Sequence, residues 1–461
     1  MRKKVLSVLC IACFIFSGCN NQNKKSVLFN GVNLNNWLVT GSVEVSDSVV
    51  KMGKAAVMVS NDDFFTDFEL LVTARTIGNG KGEIRFHTDK NGNGGYAVAL
   101  NNHLESPQWW TKTGSLLSVR NLTKSIVKND EWFDVRIKVE GKKISVAVNK
   151  ELLVEYNEPE NPYRTPENVG QILSGGAISV QNTEGFIEIK SIEITPLKIE
   201  DPIIHAQLAE AIDETTDEII KLHQANFPVL DYHVHLKEDL TLDLAKSQSR
   251  KYGINYALAP NCGIGFPITN DVQVIEYLDK MKGEPFVQAM QGEGREWPAT
   301  FSPEVRAKFD YVFTDAMTFT DTKGNRTRLW MPEEVFIDDE QQYMDLIVEK
   351  IVEVMQEPMD IYVNPTFLPE AMNDRYDIFW TDERQNKVIN AMVKTNKVLE
   401  INHRYKIPNK SFIRKAKAAG LKFTFGTNNT DSDFGKLEYC IQMMKECGIT
   451  AEDMYKPKMT E

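Results

Sequence analysis

Residues 229–236 read VLDYHVHL, and the period of that stretch decides how the second half of the chain is built. In a strand alternate side chains share a face, so His233 and His235 point to one side with Asp231 beside them. Two imidazoles on one face at a strand end can chelate a divalent ion. The same spacing also describes polar residues near a strand terminus. The flanking sequence has to separate the two readings.

Outward from this stretch, strand-like runs alternate with helical ones. The strands are PVLDYHVHL (228–236), YALAPN (256–261), PFVQAMQGEG (285–294), DYVFTDAM (310–317), DIYVNPTF (360–367), KVLEINH (397–403) and LKFTFGTNN (421–429). Amphipathic helices are expected at 339–357, 382–396, 409–420 and 434–448. Strand–helix alternation implies a parallel sheet, here of seven strands, one short of the usual barrel. The carboxyl ends of such strands converge on one rim, where catalytic groups collect. Polar residues sit at those ends: His233 and His235, Asn261, Glu293, Asp315, Asn364, Glu400 with Asn402 and His403, and Asn428. Any one of them could be a turn residue. Seven clusters at seven strand ends point to a site.

The sequence before residue 200 has a different grammar. Short alternating runs such as FELLVTART (68–76), GEIRFHT (82–88), WFDVRIKVEG (132–141) and FIEIKSIEITPL (186–197) are separated by Gly/Asn turns, which argues an all-β sandwich over 26–197. Residues 198–228 read as a helical linker, with Pro202 near its start and Pro228 at its end. The expected architecture is thus two-domain, an all-β sandwich and then an α/β barrel of seven strands over 229–461; the resemblance of each half to a known family, on the motifs quoted below, implies a jelly-roll or concanavalin-like form for the sandwich and a distorted (β/α)7 TIM-like form for the barrel.

The 461 residues suit two or three domains, and 42% hydrophobic content is ample for sizeable cores. A net charge of −12 speaks against a nucleic-acid partner. The chain opens with MRKK and the apolar run VLSVLCIACFIF, too short to span a bilayer and right for a signal h-region. The run ends in FSGC. Residues 1–18 followed by Cys19 resemble a bacterial lipoprotein signal, which implies acylation at Cys19 and a lipid anchor in the cell envelope, periplasmic or on the outer-membrane surface. Of the six cysteines, Cys262, Cys440 and Cys447 then remain, an odd number that gives no disulfide framework.

Two resemblances sharpen these expectations. The stretches DYHVHL, GEGREW (292–297), LEINHR (399–404) and AKAAGLKFTFGTNNTD (416–431) resemble the polymerase and histidinol phosphatase family of metal-dependent phosphoesterases, patchily across 229–450. That resemblance implies metal ligation by His233, His235 and Glu293, with Asp315 and His403 as further candidates. His403 reads equally well as a hydrogen-bonded structural histidine. Where the family has Gly-His-Pro this chain has VNP, with Asn364. The family's final Asp and His fall on Asn428 and Thr430. Amides coordinate hard cations weakly, so the expectation is one divalent metal (Zn, Mn or similar) with an open position, not a cluster.

The stretches LFNGVNLNNW (28–37), GEIRFHTDKNGNGGYAVAL (82–100), KNDEWFDVRIKVEGKKISVAVN (128–149) and GGAISVQNTEGFIEIKSIEI (175–194) resemble the 3-keto-disaccharide hydrolase domain family. Asn182 and Glu184 stand where that family often has a His. Trp109 and Trp110 in SPQWWTKTG, with Tyr96 and Arg85, are candidates for an aromatic sugar platform, although each Trp also suits a sandwich core. Neighbours on a strand face opposite ways, so one of the pair is expected to be exposed.

Three functions follow. The first is a lipoprotein enzyme cleaving glycosides or 3-keto-glycosides by hydrolysis or elimination. Asp315 or Glu400 would be its general base, and Arg295, Arg328, Arg404, Asn364 and Asn428 would hold substrate. The second is a non-catalytic sugar-binding lipoprotein with a decayed barrel. The third is a metal-dependent phosphoesterase.

Overall fold

The computed structural model describes residues 25–61, 64–197 and 212–459. The expected leader with Cys19, and residues 198–211 of the expected linker, lie outside the described residues. Among those described, no helix is long and apolar enough to cross a membrane.

Eleven strands form the first half: β1 Ser26–Phe29, β2 Trp37–Thr40, β3 Val43–Ser46, β4 Val49–Met52, β5 Val57–Ser60, β6 Phe68–Thr88, β7 Tyr96–Asn101, β8 Phe133–Glu140, β9 Lys143–Val148, β10 Glu151–Asn157 and β11 Ala177–Pro196. β6 and β11 run antiparallel along almost their whole length, from Thr88 opposite Ala177 to Phe68 opposite Pro196. Each serves two sheets. The first part of β6 continues through β8 to β9 and β10, and the later part of β11 continues to β1, β4 and β3. The other halves pair with β7 on one side and with β5 and then β2 on the other. The ladder slips between Asn182 and Phe186, where the strands bend past each other. Gly80 permits the approach: a Cβ there would lie 1.9 Å from the Phe186 carbonyl oxygen. The inward faces of both sheets (Leu70, Val72, Ile84, Phe86, Val98, Val135, Ile137, Ile189) close one apolar core, giving a lectin-like β-sandwich.

The second half is a closed parallel barrel. Its strands are β12 Leu230–Val234, β13 Asn255–Leu258 with its short continuation β14 Asn261–Cys262, β15 Val287–Gly292, β16 Tyr311–Thr314, then, after the hairpin β17 Thr318–Thr320 and β18 Arg326–Arg328, β19 Ile361–Tyr362, β20 Val398–Asn402 and β21 Phe423–Gly426. The pairing runs β13-β12-β21-β20-β19-β16-β15 and closes through β13–β15, giving seven staves. All seven expected strands are present. The described part of the expected helical linker holds one short helix, Glu218–Gln224, capped by the Asp217 side chain on the Ile219 amide.

The segment between β7 and β8 leaves the sandwich and docks on the amino-terminal end of the barrel. The Asn255 side chain accepts from Thr123 N at 3.1 Å and donates to the Asn121 carbonyl at 2.8 Å. Lys124 Nζ lies 3.1 Å from a fully buried Asp310 carboxylate just before β16. Trp109 and Trp110 pack into the apolar core of the barrel, and Trp110 Nε1 donates to Asn226 Oδ1 at 3.0 Å. The expectation that one tryptophan is exposed is therefore corrected. Neither lies on a strand, and at 3% and 7% exposure neither offers a face to a sugar. They are interdomain anchors, and the barrel mouth opens at the end opposite the sandwich.

Candidate functional site

Position at the mouth follows from strand parity. On β12, Asp231, His233 and, just beyond the strand, His235 all point inward and are buried. The Asp231 carboxylate accepts from the amides of His233 (3.2 Å) and Thr427 (3.0 Å) and from the Thr427 hydroxyl (2.5 Å), which fixes β12 against the loop after β21. Burial pushes that carboxyl up to about 6.

The two imidazoles have ring centroids 5.0 Å apart. His233 Nδ1 meets Glu400 Oε1 at 2.6 Å, and His235 Nδ1 meets the Ala259 carbonyl oxygen at 2.7 Å. Both partners are acceptors, so both Nδ1 atoms carry the proton, and in the neutral rings Nε2 carries the lone pair. His233 Nε2 is buried and has no hydrogen-bond partner among the described residues. Burial, helped by His233, holds His235 well below the usual imidazole value, which keeps that ring neutral. Imidazoles held at Nδ1 by a carboxylate and a carbonyl are arranged as metal-binding histidines usually are. These two residues thus fit a divalent metal. No group of three or more His, Cys, Asp or Glu with metal-holding geometry occurs among the described residues, so Glu293 and His403 do not join the pair.

Glu400 is fully buried, and both its oxygens are engaged. Oε1 takes His233, and Oε2 accepts from the Asn364 amide (2.7 Å) and Asn402 Nδ2 (3.0 Å). It is a positioning residue for His233, and the expectation of a free general base there is corrected. Gly426 makes room for it: a Cβ would lie 2.3 Å from Glu400 Oε1 and 2.8 Å from His233 Cβ. An amide relay runs on from Glu400. Asn402 and Asn428 both donate to Asn364 Oδ1 (3.0 and 2.8 Å), and Asn364 Nδ2 donates to Asp315 Oδ2 (3.0 Å). Asn364, Thr366 and Asn428 all adopt left-handed backbone (φ 49°, 61° and 54°), costly for the β-branched Thr366 and typical of functional loops.

Glu293 and Asp315 form the acidic side of the mouth. Glu293 Oε1 accepts from Asn261 Nδ2 at 2.5 Å. Burial, with the Asp315 charge second, pushes the Glu293 carboxyl up to about 8, so it holds a proton near neutrality. Lys237, two residues beyond His235, lies near Glu293 and Arg404, and burial lowers its ammonium value. The sequence reading passed over Lys237, Tyr405 and the bracing Asn429, whose side chain spans the His235 amide and carbonyl at 2.8 Å each.

The other candidates lie elsewhere. His403 turns away, its Nδ1 accepting from the Tyr439 amide at 3.3 Å and 3.4 Å from Glu438. Arg295 is tied to Glu357 (3.0 Å) and to the Asp315 carbonyl (2.7 Å), so it braces the strand end. Arg328 is clamped onto Glu334. Arg404 stays at the rim, exposed, over the Tyr405 ring.

In the sandwich, pleat parity separates Tyr96 from Arg85. Tyr96 faces the core, fully buried, with its hydroxyl on Glu158. Arg85 is on the opposite face beside Glu83 (2.8 Å), near buried Ala97, Ala99 and Ser179. Arg85 Nε and Ser179 Oγ have no hydrogen-bond partner there among the described residues. This is a second, polar candidate site that lacks an aromatic platform.

Residues 24–195 match the family model of the 3-keto-alpha-glucoside-1,2-lyase-like domain. No curated protein matches the chain. Among solved structures, similar chains include a "putative glycosyl hydrolase" from Parabacteroides distasonis (16% identity, 38% of this chain and 94% of that one, TM-score 0.35). Others are the carbohydrate binding module CBM66 from Bacillus subtilis (12%, 35% and 92%, TM-score 0.26) and the VIP36 exoplasmic/lumenal domain in its Ca2+/Man3GlcNAc-bound form (13%, 41% and 94%, TM-score 0.29). At these scores the structural likenesses carry no functional argument.

Proposed function

We propose that the chain is a carbohydrate-cleaving lipoprotein of the cell envelope, acting by hydrolysis or elimination on glycosides or 3-keto-glycosides. In this reading Cys19 carries the lipid, the sandwich holds sugar on its Arg85 face, and the barrel mouth carries the chemistry. The match of residues 24–195 supports the substrate class. The observation that carries the barrel reading is the histidine pair: both Nδ1 atoms are held by acceptors, and a buried Nε2 is left without a partner. His233 and His235 would hold one divalent cation, which supplies a Lewis acid able to polarise a carbonyl or hydroxyl oxygen. Glu293, protonated near neutrality, would donate to a leaving oxygen. Asp315, its neighbour, would accept a proton. Asn364 and Asn428 set the shape of the floor.

The test is metal content by mass spectrometry on protein starting at Asn20, beside His233→Ala/His235→Ala, followed by turnover of 3-keto-glucosides with and without a chelator. About one equivalent of metal, lost in the double variant, is expected. Metal-free protein after reloading with Zn or Mn would refute the barrel reading. A second reading, a non-catalytic sugar binder, is favoured because no three His, Cys, Asp or Glu among the described residues are arranged to hold a metal, the acidic neighbours Glu400 and Asp231 being turned to the ring Nδ1 and the backbone. It predicts sugar binding that ignores metal.

A further inference from the structure

A groove of about 430 Å³ opens beside the barrel mouth, between the segment after β18 and the loops after β19 and β20. Its walls are aromatic: Trp330, Phe367 and Tyr405, with Tyr376 at one end. Trp330 is 37% exposed, the most open of these large rings and unlike the buried Trp109 and Trp110. Phe367 and Tyr405 stand edge to face at 4.8 Å. Polar groups rim the same groove, namely Arg404, Glu370 and Asn373.

The groove is coupled to the histidine site by the backbone. Tyr405 N donates to Asn402 Oδ1 at 3.0 Å, and Asn402 in turn donates to Glu400. Thr366, in left-handed conformation two residues beyond Asn364, receives the Trp380 indole on its carbonyl (2.9 Å) and the Tyr376 hydroxyl on its side chain (2.6 Å). The strained turn is thereby braced from the groove side. On the opposite wall the Arg328–Glu334 clamp holds the turn that presents Trp330.

We infer that this groove is a subsite for a pyranose ring, which stacks on Trp330 while Arg404, Glu370 and Asn373 take its hydroxyls, holding one half of a disaccharide with the scissile bond towards His233 and His235. This rests on the carbohydrate reading above. The combination selects the ligand: aromatic faces match the C–H faces of a sugar ring, and a charged rim of both signs matches its hydroxyl edge. A purely aryl ligand has no use for that rim, and a phosphate has none for the aromatic walls or the carboxylate of Glu370.

The experiment is calorimetric titration with gluco-disaccharides of α,α-1,1, α-1,4 and β-1,4 linkage, and with a phenyl-methanol probe. The proteins are the full-length chain, Trp330→Ala, Trp330→Phe and Arg85→Ala, each checked for an unchanged melting temperature. At least one disaccharide is expected to bind. Trp330→Ala should weaken it about 5- to 10-fold, the worth of one ring contact, and Trp330→Phe should restore most of the loss. Arg85→Ala should remove only the contribution of the sandwich face and leave the Trp330-dependent binding in place, and Mn or Zn uptake should be the same in both Trp330 variants. A disaccharide affinity that Trp330→Ala leaves within about twofold, but Arg85→Ala abolishes, overturns the groove and leaves the carbohydrate reading standing. Binding of the phenyl probe alone overturns the groove as a sugar subsite. No binding of any disaccharide to the unaltered protein overturns the groove, and the absence of 3-keto-glucoside turnover beside it overturns the carbohydrate reading as well.

Discussion

Acid should loosen the joint between the domains through one histidine. His223 lies in the helix Glu218–Gln224, fully buried where sandwich and barrel meet. Its Nε2 donates to the Gly253 carbonyl at 2.8 Å, and its Nδ1 faces the Asn121 amide at 3.4 Å, which makes Nδ1 the acceptor. Protonating Nδ1 would set two N–H groups against each other, with the Arg120 guanidinium close by. Burial, with Arg120 second, accordingly depresses this imidazole from 6.5 to about 3. Between those values the unfolded chain binds a proton that the folded one refuses, so the contribution is intact above pH 6.5 and is lost as pH falls. At pH 5 the loss is about 1.5 × 1.4, or about 2 kcal/mol, relative to pH 8. The figure depends little on the depressed value, because any folded value below about 4 leaves the unfolded titration to set it. Asp231 and Glu293, raised to about 6 and about 8, contribute with the opposite sign, losing stability as pH rises. The slope for the unaltered protein is therefore a net one, and comparison with His223→Gln isolates the histidine. Urea unfolding followed by tryptophan emission, at pH 8 and pH 5, gives the four free energies. The variant should be weaker at pH 8, but its own loss on acidification should be smaller by about 2 kcal/mol. Equal losses in the two proteins would refute the neutral buried ring.

Three further outcomes follow from the mouth. Glu400→Gln keeps the volume but removes the charge behind His233 Nδ1, and should weaken Mn or Zn binding about 10- to 100-fold in competition with a coloured chelator, with the fold unchanged by circular dichroism. Gly426→Ala drives a methyl group into Glu400 and His233 and should cost about 1–3 kcal/mol in urea unfolding, along with metal uptake. Asp315→Asn removes the charge that, after burial, helps raise the Glu293 carboxyl, so that carboxyl should titrate below 8 by carbon-13 NMR.

What the sequence made legible is what local period controls. Each barrel strand announces itself as a short apolar run whose last residues turn polar, and strand parity alone brings Asp231, His233 and His235 to one side. The sandwich is legible for the same reason, since alternation along β6 and β11 marks the buried face. Parity within a strand says nothing, however, about which partner occupies the space beyond it. Glu400 reads as a free carboxylate until β20 is placed near β12, and only then is it the acceptor that orients His233. Trp109 and Trp110 read as a pair with one exposed member because neighbours on a strand face opposite ways, whereas a loop can bury both against another domain. Trp330 carried no periodic signal at all, since its exposure is set by the Arg328–Glu334 clamp and by loops from two distant strands. The residues that bear on chemistry here are those whose partners lie far along the chain, 167 residues in the case of His233 and Glu400. That separation has a functional consequence. With the sandwich fixed to the amino-terminal end of the barrel through Asn255 and Asp310, and the histidine pair at its carboxyl-terminal mouth, sugar held by the sandwich would reach the pair through sequential capture and cleavage.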